Sequence, residues 1–163
     1  DAPLLAGGMA RSSAWAQYRY NRLLLPWEWD SLLYETHFAE AGLRQAWGIG
    51  KDVAVWISGN AAASVAGRPA LFRRSEYSAQ CGALWQITPK LNATVLYRAA
   101  LFDYLEDDRQ DVNQLIHLGV SWQIARSLRA DVYLGGSFND SNLPVFDYEA
   151  LNLGLNLALS KMW

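Results

Sequence analysis

The chain has 163 residues, which suits one domain, and 52% of them are apolar, which is ample for a core. It has no run of about 18 apolar residues, so helical membrane spans are excluded, whereas a mean hydropathy of -0.06 is compatible with membrane strands, whose alternation is lost in such averages. The net charge of -2, with Lys and Arg dispersed along the chain, excludes nucleic acid as a partner.

The sequence offers few residues for a disulfide or a structural metal site. Cys81 is the single cysteine, and only His37 and His117 could join it, which is too few for a typical zinc site. We therefore predict no metal and no cofactor, and we expect Cys81 to be a small apolar residue of a wall.

Residues 1–12 are predicted to form an N-terminal extension, and residues 13–163 a single domain. The extension begins with Asp1 and continues through a small, flexible Leu-Ala-Gly-Gly stretch. Such a start is compatible with the mature end that signal-peptide removal leaves, and equally with an arbitrary boundary.

Three segments of the first half favour β-strands, at residues 15–21, about 29–47 and 53–62. The second segment is the least regular, because Phe38 falls on one parity whereas Leu43 and Trp47 fall on the other. A β-bulge or a short helical stretch would explain this change of parity.

From residue 75 onward, apolar and polar residues alternate over five segments. These are residues 75–87, 91–101, 112–124, 128–138 and 151–159. A helix would scatter side chains of period two around its axis, whereas a strand places them on one face. The chain is therefore predicted to contain about eight strands, the last with Leu at every second position.

The connections between the predicted strands alternate in length. Short connections fit residues 48–51, 88–90 and 125–127, whereas residues 103–111 and 139–146 form longer connections that are rich in Asp and Asn. An alternation of short turns and long loops is typical of a meander with two different ends, as in outer-membrane barrels.

Aromatic residues lie near both ends of the predicted strands. Those near the short turns are Trp47, Trp85, Trp122 and Trp163; those near the long loops are Tyr20, Trp27, Trp29, Phe102, Tyr104, Phe138 and Phe146. Two aromatic girdles are what the two interfaces of a bilayer select, although core aromatics of a soluble barrel are an alternative. We predict an all-β fold, a closed antiparallel up-and-down transmembrane β-barrel of about eight strands.

The end of the chain resembles a known class of proteins. Its last strand of alternating leucines ends in an aromatic residue, Trp163, and residues 137–148 resemble the last surface loop of porin-like barrels. Both features are similar to those of bacterial outer-membrane β-barrel proteins. The resemblance implies a location in the bacterial outer membrane, contact with membrane lipid and lipopolysaccharide, and recognition of Leu159 and Trp163 by the barrel-assembly machinery.

The two parities of the strands predict two groups of residues. The lipid-facing group is Val120, Trp122, Leu134, Leu151, Leu153, Leu155 and Leu157. The polar group, expected to face the lumen, is Arg19, Glu76, Gln80, Arg98, His117, Arg129, Asp131, Asn152 and Asn156, together with Gln17, Asp52 and Gln123. An eight-stranded barrel is just filled by side chains, so we expect Arg98, Arg129, Glu76 and Asp131 to form a buried ion-pair network.

Four glycines, at positions 82, 119, 135 and 154, share the polar parity. Filling of a tapering lumen beside large neighbours such as Tyr133 and Arg98 is the expected role, and a pocket or pore at that level is the alternative. The acidic residues 106–108 with Asp111 are expected to form a solvated turn, with binding of divalent cations as the alternative.

His117 and Ser121 share a strand face, which raises the alternative of a lipid-modifying hydrolase or acyltransferase. Neither histidine lies in a catalytic motif, so we predict that the protein is not an enzyme. We expect a structural, anchoring or small-pore component of the outer membrane. The alternative is the C-terminal part, or a subunit, of a larger transport or secretion assembly that contacts other envelope proteins.

Overall fold

The computed structural model describes residues 8–24 and 32–159, which form eight β-strands. In chain order they are β1 (Ala10–Leu24), β2 (Leu32–Ile49), β3 (Val53–Arg68), β4 (Arg74–Thr88), β5 (Leu91–Tyr104), β6 (Gln110–Ala125), β7 (Leu128–Ser141) and β8 (Tyr148–Leu159). β1 begins ahead of the predicted domain start at Ser13. Within the described ranges, no helix is long and apolar enough to cross a membrane.

The eight strands form one antiparallel sheet in which each strand pairs with its neighbours in sequence. This confirms the predicted all-β, up-and-down arrangement of eight strands. β1 and β8 are the edges of the sheet, and no pairing between them is present in the part of the chain that the structure describes. Closure of the sheet into a barrel therefore stays a prediction.

The connections confirm the predicted alternation of short and long. Residues 50–52, 89–90 and 126–127 make short turns at one end of the sheet, which we call the turn end. Residues 69–73, 105–109 and 142–147 make longer connections at the other end, which we call the loop end. The first and last of these contain the 3-10 turns Ala70–Phe72 and Pro144–Phe146.

The irregular parity of the second segment has a simple structural cause. β2 is an unbroken strand of 18 residues, and the register shift lies opposite His37 and Phe38, where Val65 of β3 is the extra residue. Phe38 is buried on the same face as Glu76, whereas Leu43 and Trp47 are exposed on the opposite face. Apolar residues occur at both parities of β2 because Phe38 packs on the inner face, whereas Leu43 and Trp47 lie on the outer face.

Directly paired residues of neighbouring strands share a face, so the register defines two faces for the whole sheet. We call the face that carries Glu76 the inner face and the opposite one the outer face. All nine polar residues of the predicted lumen group lie on the inner face, and the seven predicted lipid-facing residues lie on the outer face. The register thus places the two groups on opposite faces of the sheet, whereas the medium that each face meets stays a prediction. Asp52 lies in the turn between β2 and β3 and belongs to neither strand.

Burial is concentrated on the inner face near the loop end. The buried side chains among the described residues are Thr36, Phe38, Ala62, Ser64, Glu76, Ala100, Asp111, Asn113 and Asn139. All of them are inner-face residues, and Glu76 is only 3% exposed. Burial to this degree needs atoms above the side chain as well as beside it. The sheet is the single layer of the described residues, so it must curve over its own inner face.

An ion pair shows how strong this curvature is. Arg19 of β1 and Glu76 of β4 are three strands apart, which in a flat sheet is about 14 Å. Their side chains nevertheless meet, with Arg19 Nη2 2.5 Å from Glu76 Oε2. The inner face is therefore concave.

Three aromatic rings of the inner face lie directly on glycines of the neighbouring strand. The pairs are Trp15 on Gly42, Trp56 on Gly82 and Tyr133 on Gly154. A Cβ at any of these glycines would overlap the ring. Two of the four glycines predicted to make room for large neighbours therefore do so, but Arg98 is not one of those neighbours.

Gly82→Ala should lower the free energy of unfolding by about 1–3 kcal/mol, because the new methyl group displaces the Trp56 ring. Gly135→Ala is the matched control on the same face, since its Cβ would meet the Ile116 carbonyl oxygen at an ordinary 3.5 Å. Urea titration of the refolded variants, followed by tryptophan fluorescence, measures both. Equal unfolding midpoints for the two variants would contradict the packing of the Trp56 ring on Gly82.

Candidate functional site

A cluster of charged and aromatic side chains lies on the inner face near the loop end. We call this group the loop-end layer, and it consists of Arg19, Phe38, Arg74, Glu76, Phe102, Tyr104, Arg109, Asp111 and Phe146. The layer crosses the sheet from β1 to the connection between β7 and β8.

Glu76 is the electrostatic centre of the layer. Its Oε1 accepts a hydrogen bond from Arg74 Nε at 2.9 Å and lies 2.7 Å from Arg74 Nη2, while Oε2 accepts one from Arg19 Nη2 at 2.5 Å. Arg19 also lies 3.7 Å from Glu40, which accepts hydrogen bonds from Gln17 and Asn60. Two guanidinium groups thus compensate a carboxylate that is almost fully removed from solvent, as a buried charge requires.

The arginines of the layer alternate with aromatic rings. Arg19 Cζ lies 4.6 Å from the centre of the Phe38 ring, and Arg74 Cζ lies 5.7 Å from the centre of the same ring. Arg74 also lies 4.7 Å from the Phe102 ring. Each such cation–π contact contributes about 0.5–2 kcal/mol, depending on how well it is desolvated. These contacts join four strands, β1, β2, β4 and β5, which do not all pair with one another.

Arg109 extends the same pattern to the loops. Its Cζ lies 4.3 Å from the Tyr104 ring and 3.4 Å from the Phe146 ring, and its Nε donates to Asp111 at 2.9 Å. Asp111 is 2% exposed. Burial of the Arg109 guanidinium acts to lower its pKa, but the hydrogen bond to Asp111 and nearby negative groups outweigh burial and hold the pKa above its ordinary value.

The predicted ion-pair network is wrong in its membership. Glu76 pairs with Arg19 and Arg74, while Arg129 pairs with Asp131 at 3.1 Å near the turn end. Arg98 forms no ion pair with any described residue. The partners differ because the register and curvature of the sheet, rather than shared parity, decide which charges meet.

Sequence reasoning missed two arginines of the layer. Arg74 is the first residue of β4, and Arg109 directly precedes β6, so both fell in predicted connections. Their signal was an Arg two positions before an acidic residue of the inner parity, Glu76 in one case and Asp111 in the other. Residues two apart in a strand point to the same face.

His117 and Ser121 do not form a nucleophile–base pair. They are four residues apart on β6, which separates them by about 13 Å along a strand. The His117 ring stacks on Tyr133, with ring centres 5.7 Å apart, and Ser121 pairs directly with Asp131 on the neighbouring strand. The other histidine, His37, lies on the outer face and contacts Tyr18.

The residues of the acidic loop are partly engaged by arginine. Glu106 lies 3.2 Å from Arg73 Nη1, and Asp111 is bound by Arg109. No group of three or more His, Cys, Asp or Glu in the described ranges is placed to hold a metal ion.

The predicted aromatic girdles are wrong for three residues. Phe102 and Tyr104 lie on the inner face and Phe146 lies against Arg109, so all three belong to the loop-end layer. The Phe102 and Tyr104 rings pack on guanidinium groups on the concave face, and the Phe146 ring packs on Arg109 from the connection between β7 and β8. The remaining girdle residues are exposed on the outer face, namely Tyr20, Trp47, Trp85, Trp122 and Phe138. Trp27, Trp29 and Trp163 lie outside the described residues; Leu159, the other predicted assembly residue, is exposed on the outer face.

Glu76→Ala should lower the free energy of unfolding by about 3–5 kcal/mol, because it leaves two guanidinium groups without their shared carboxylate. Glu149→Ala is the control, since Glu149 is exposed and has no ion pair in the described part of the chain. Unfolding in urea compares the two variants with the parent. A loss no larger for Glu76→Ala than for Glu149→Ala would exclude the central role of Glu76.

Comparison with known proteins identifies no relative of this chain. The chain matches no protein-family model, no curated protein and no solved structure. What the sheet can do therefore follows from its own residues.

Proposed function

We propose that the chain is a transmembrane β-barrel of the bacterial outer membrane, with a structural or anchoring role. The observation that carries this proposal is the polarity of the two faces. On β8 the outer-face residues Leu151, Leu153, Leu155 and Leu157 are between 62% and 78% exposed. The opposite, concave face holds the charged loop-end layer.

The outer face is apolar well beyond one strand. Large exposed apolar side chains of β6 and β7 continue the leucines of β8; they are Val112, Ile116, Leu118, Val120, Trp122, Ile124, Val132 and Leu134. Soluble monomers rarely expose a contiguous apolar patch of more than a few hundred Å². Lipid acyl chains are a medium in which such a surface is stable.

A soluble barrel of the same topology would place its apolar residues inside. Here the concave face carries Arg19, Glu76 and Asp111, and the leucines of β8 with the large apolar residues of β6 and β7 named above lie on the opposite face. Alternation with apolar residues outward and polar residues inward is the pattern of outer-membrane barrels. The inverted polarity thus favours a membrane barrel over a soluble one.

We propose that β1 and β8 pair and close the barrel, because a bilayer cannot accept unpaired strand edges. The observed register restricts how they meet. A line of directly paired residues across the sheet runs through Trp15, Gly42, Asn60, Ser78, Ala100, Asn113, Asn139 and Tyr148. This line ends at Tyr148 on β8. In a closed barrel, Trp15 does not pair with Tyr148 but with a residue further along β8.

The size of the displacement follows from barrel geometry. Eight strands spaced about 4.8 Å apart and tilted by about 35–45° require a shift of about 27–38 Å, or roughly 8–11 residues. The shift must be even to keep inner residues inside. Trp15 is therefore expected to meet Asn156 for a shift of eight residues, or Ala158 for a shift of ten, and both are inner-face residues.

The loop-end layer supports a structural role rather than a small pore. Its buried residues cross the concave face on β2, β4 and β6, where a conducting lumen would need free space. Charged side chains that are already paired with one another also offer little to a passing ion. Proposed partners are membrane lipid, lipopolysaccharide and the barrel-assembly machinery, which would read Leu159 and Trp163.

A second candidate function is a part or subunit of a larger outer-membrane transport or secretion assembly. The observation that favours it is that β1 and β8 are unpaired edges among the described residues. Further strands of a wider barrel, or other envelope proteins, would then pair with these edges.

Cysteine pairs distinguish closure from edge pairing with another chain. In a Cys81→Ser background, Ala16→Cys should form an intramolecular disulfide with Leu157→Cys for a shift of ten residues, or with Leu155→Cys for a shift of eight. Ala16→Cys with Leu151→Cys is the control, because that position lies at least about 13 Å further along the strand. Mass and gel migration after oxidation identify the product. Folded protein that forms only intermolecular disulfides would support the second candidate instead.

Leu155→Arg should impair folding into liposomes, because Arg on a lipid-facing site near the bilayer midplane costs about 2–4 kcal/mol. Asn156→Arg is the matched control, since it adds the same side chain on the inner face, directly opposite Asp131. Heat-modifiable gel migration measures the folded fraction of each variant. Equal folding of the Leu155→Arg variant and the parent would remove the main support for a membrane location.

A further inference from the structure

One row of the inner face carries donor side chains and no carboxylate. It consists of the directly paired residues Arg44 on β2, Ser58 on β3, Gln80 on β4 and Arg98 on β5. We call it the donor row. These four strands are hydrogen-bonded to one another in the structure, so the row does not depend on the closure of the barrel.

The donor row lacks the protein partners that similar groups have elsewhere on the same face. The Ser58 hydroxyl is buried without a hydrogen-bond partner. Neither Arg44 nor Arg98 forms an ion pair with a described carboxylate, whereas the arginines of the loop-end layer all do. Arg44 instead lies 5.1 Å from the Trp56 ring. Buried hydroxyls are normally paired, so this one points to an additional hydrogen-bonding group.

The curvature of the sheet allows the two arginines to reach one ligand. Arg44 and Arg98 are three strands apart, as are Arg19 and Glu76. The latter pair meets at 2.5 Å across the concave face. Ser58 and Gln80 lie between the two arginines in the same row. A group held above these two residues would therefore be within reach of both guanidinium groups.

We propose that the donor row binds a phosphate-sized oxyanion. Guanidinium groups match the geometry and charge of phosphate and sulfate, and a hydroxyl and an amide between them supply further hydrogen bonds. The row lies on the turn-end side of the loop-end layer, and Arg44 is exposed, so a small anion dissolved in water can reach the row from that end. This binding activity goes beyond a structural role in the membrane.

Isothermal titration of the detergent-folded full chain with inorganic phosphate tests the proposal. The parent protein should bind phosphate, and Arg44→Gln and Arg98→Gln should each weaken binding about tenfold or more, because each removes a charge-assisted hydrogen bond. Arg129→Gln is the matched control and should bind as the parent does, since Arg129 lies outside the donor row and already pairs with Asp131.

Ser58→Ala separates binding from folding. The Ser58 hydroxyl has no protein partner, so the variant should unfold at the same or a higher urea concentration in phosphate-free buffer, yet bind phosphate severalfold more weakly. Failure of the folded parent to bind millimolar phosphate would overturn the proposal. So would equal binding by the parent and both Arg→Gln variants, or an equal effect of sodium chloride at the same ionic strength. None of these results bears on the membrane location, which Leu155→Arg tests separately.

Discussion

A sheet of one layer must meet two environments, because each strand sends alternate side chains to opposite faces. From β4 to β8 the register shifts only next to the turns, at Gln86 and Gln123, so the alternation of each strand continues in the next. Glu76, Asp111 and their arginine partners therefore lie on the concave side, and the alternating leucines of β8 lie on the convex side. The loop-end layer combines ion pairs with aromatic rings, so its stability depends on which charges meet more than on aliphatic packing.

The arginines of the concave face differ in whether they have a carboxylate partner. At the loop end, Glu76 and Asp111 are buried with arginines at hydrogen-bond distance, and the aromatic rings fill the space between the guanidinium groups. Nearer the turn end, Arg44 and Arg98 have no carboxylate partner among the described residues. Guanidinium groups thus stabilise the fold through ion pairs at the loop end. Those of Arg44 and Arg98 have no such partner in the described ranges, and there we propose that they bind an anion.

The sequence predicted the strands and the two faces because alternation is a local property of each strand. It did not predict the partners of Glu76, since these depend on lateral register and curvature, which bring β1 next to β4. Phe102 and Tyr104 were assigned to the outer surface from their nearness to a loop alone; their parity, continued from Arg98, places them inside. Phe38 obscured the pattern of β2 because it is an apolar residue on a polar face.

The order of the strands also has a consequence for how the molecule is assembled. Every observed pairing joins consecutive strands, so each hairpin closes a short loop and the sheet can grow one strand at a time from any starting hairpin. Loop-closure entropy is small for each of these steps. A seam between β1 and β8 would instead join residues from opposite ends of the chain, and slow folding steps are those that make such distant contacts. If the proposed barrel closes, this seam would therefore be its slowest contact to form, and until then both edges would be open to pairing with other chains.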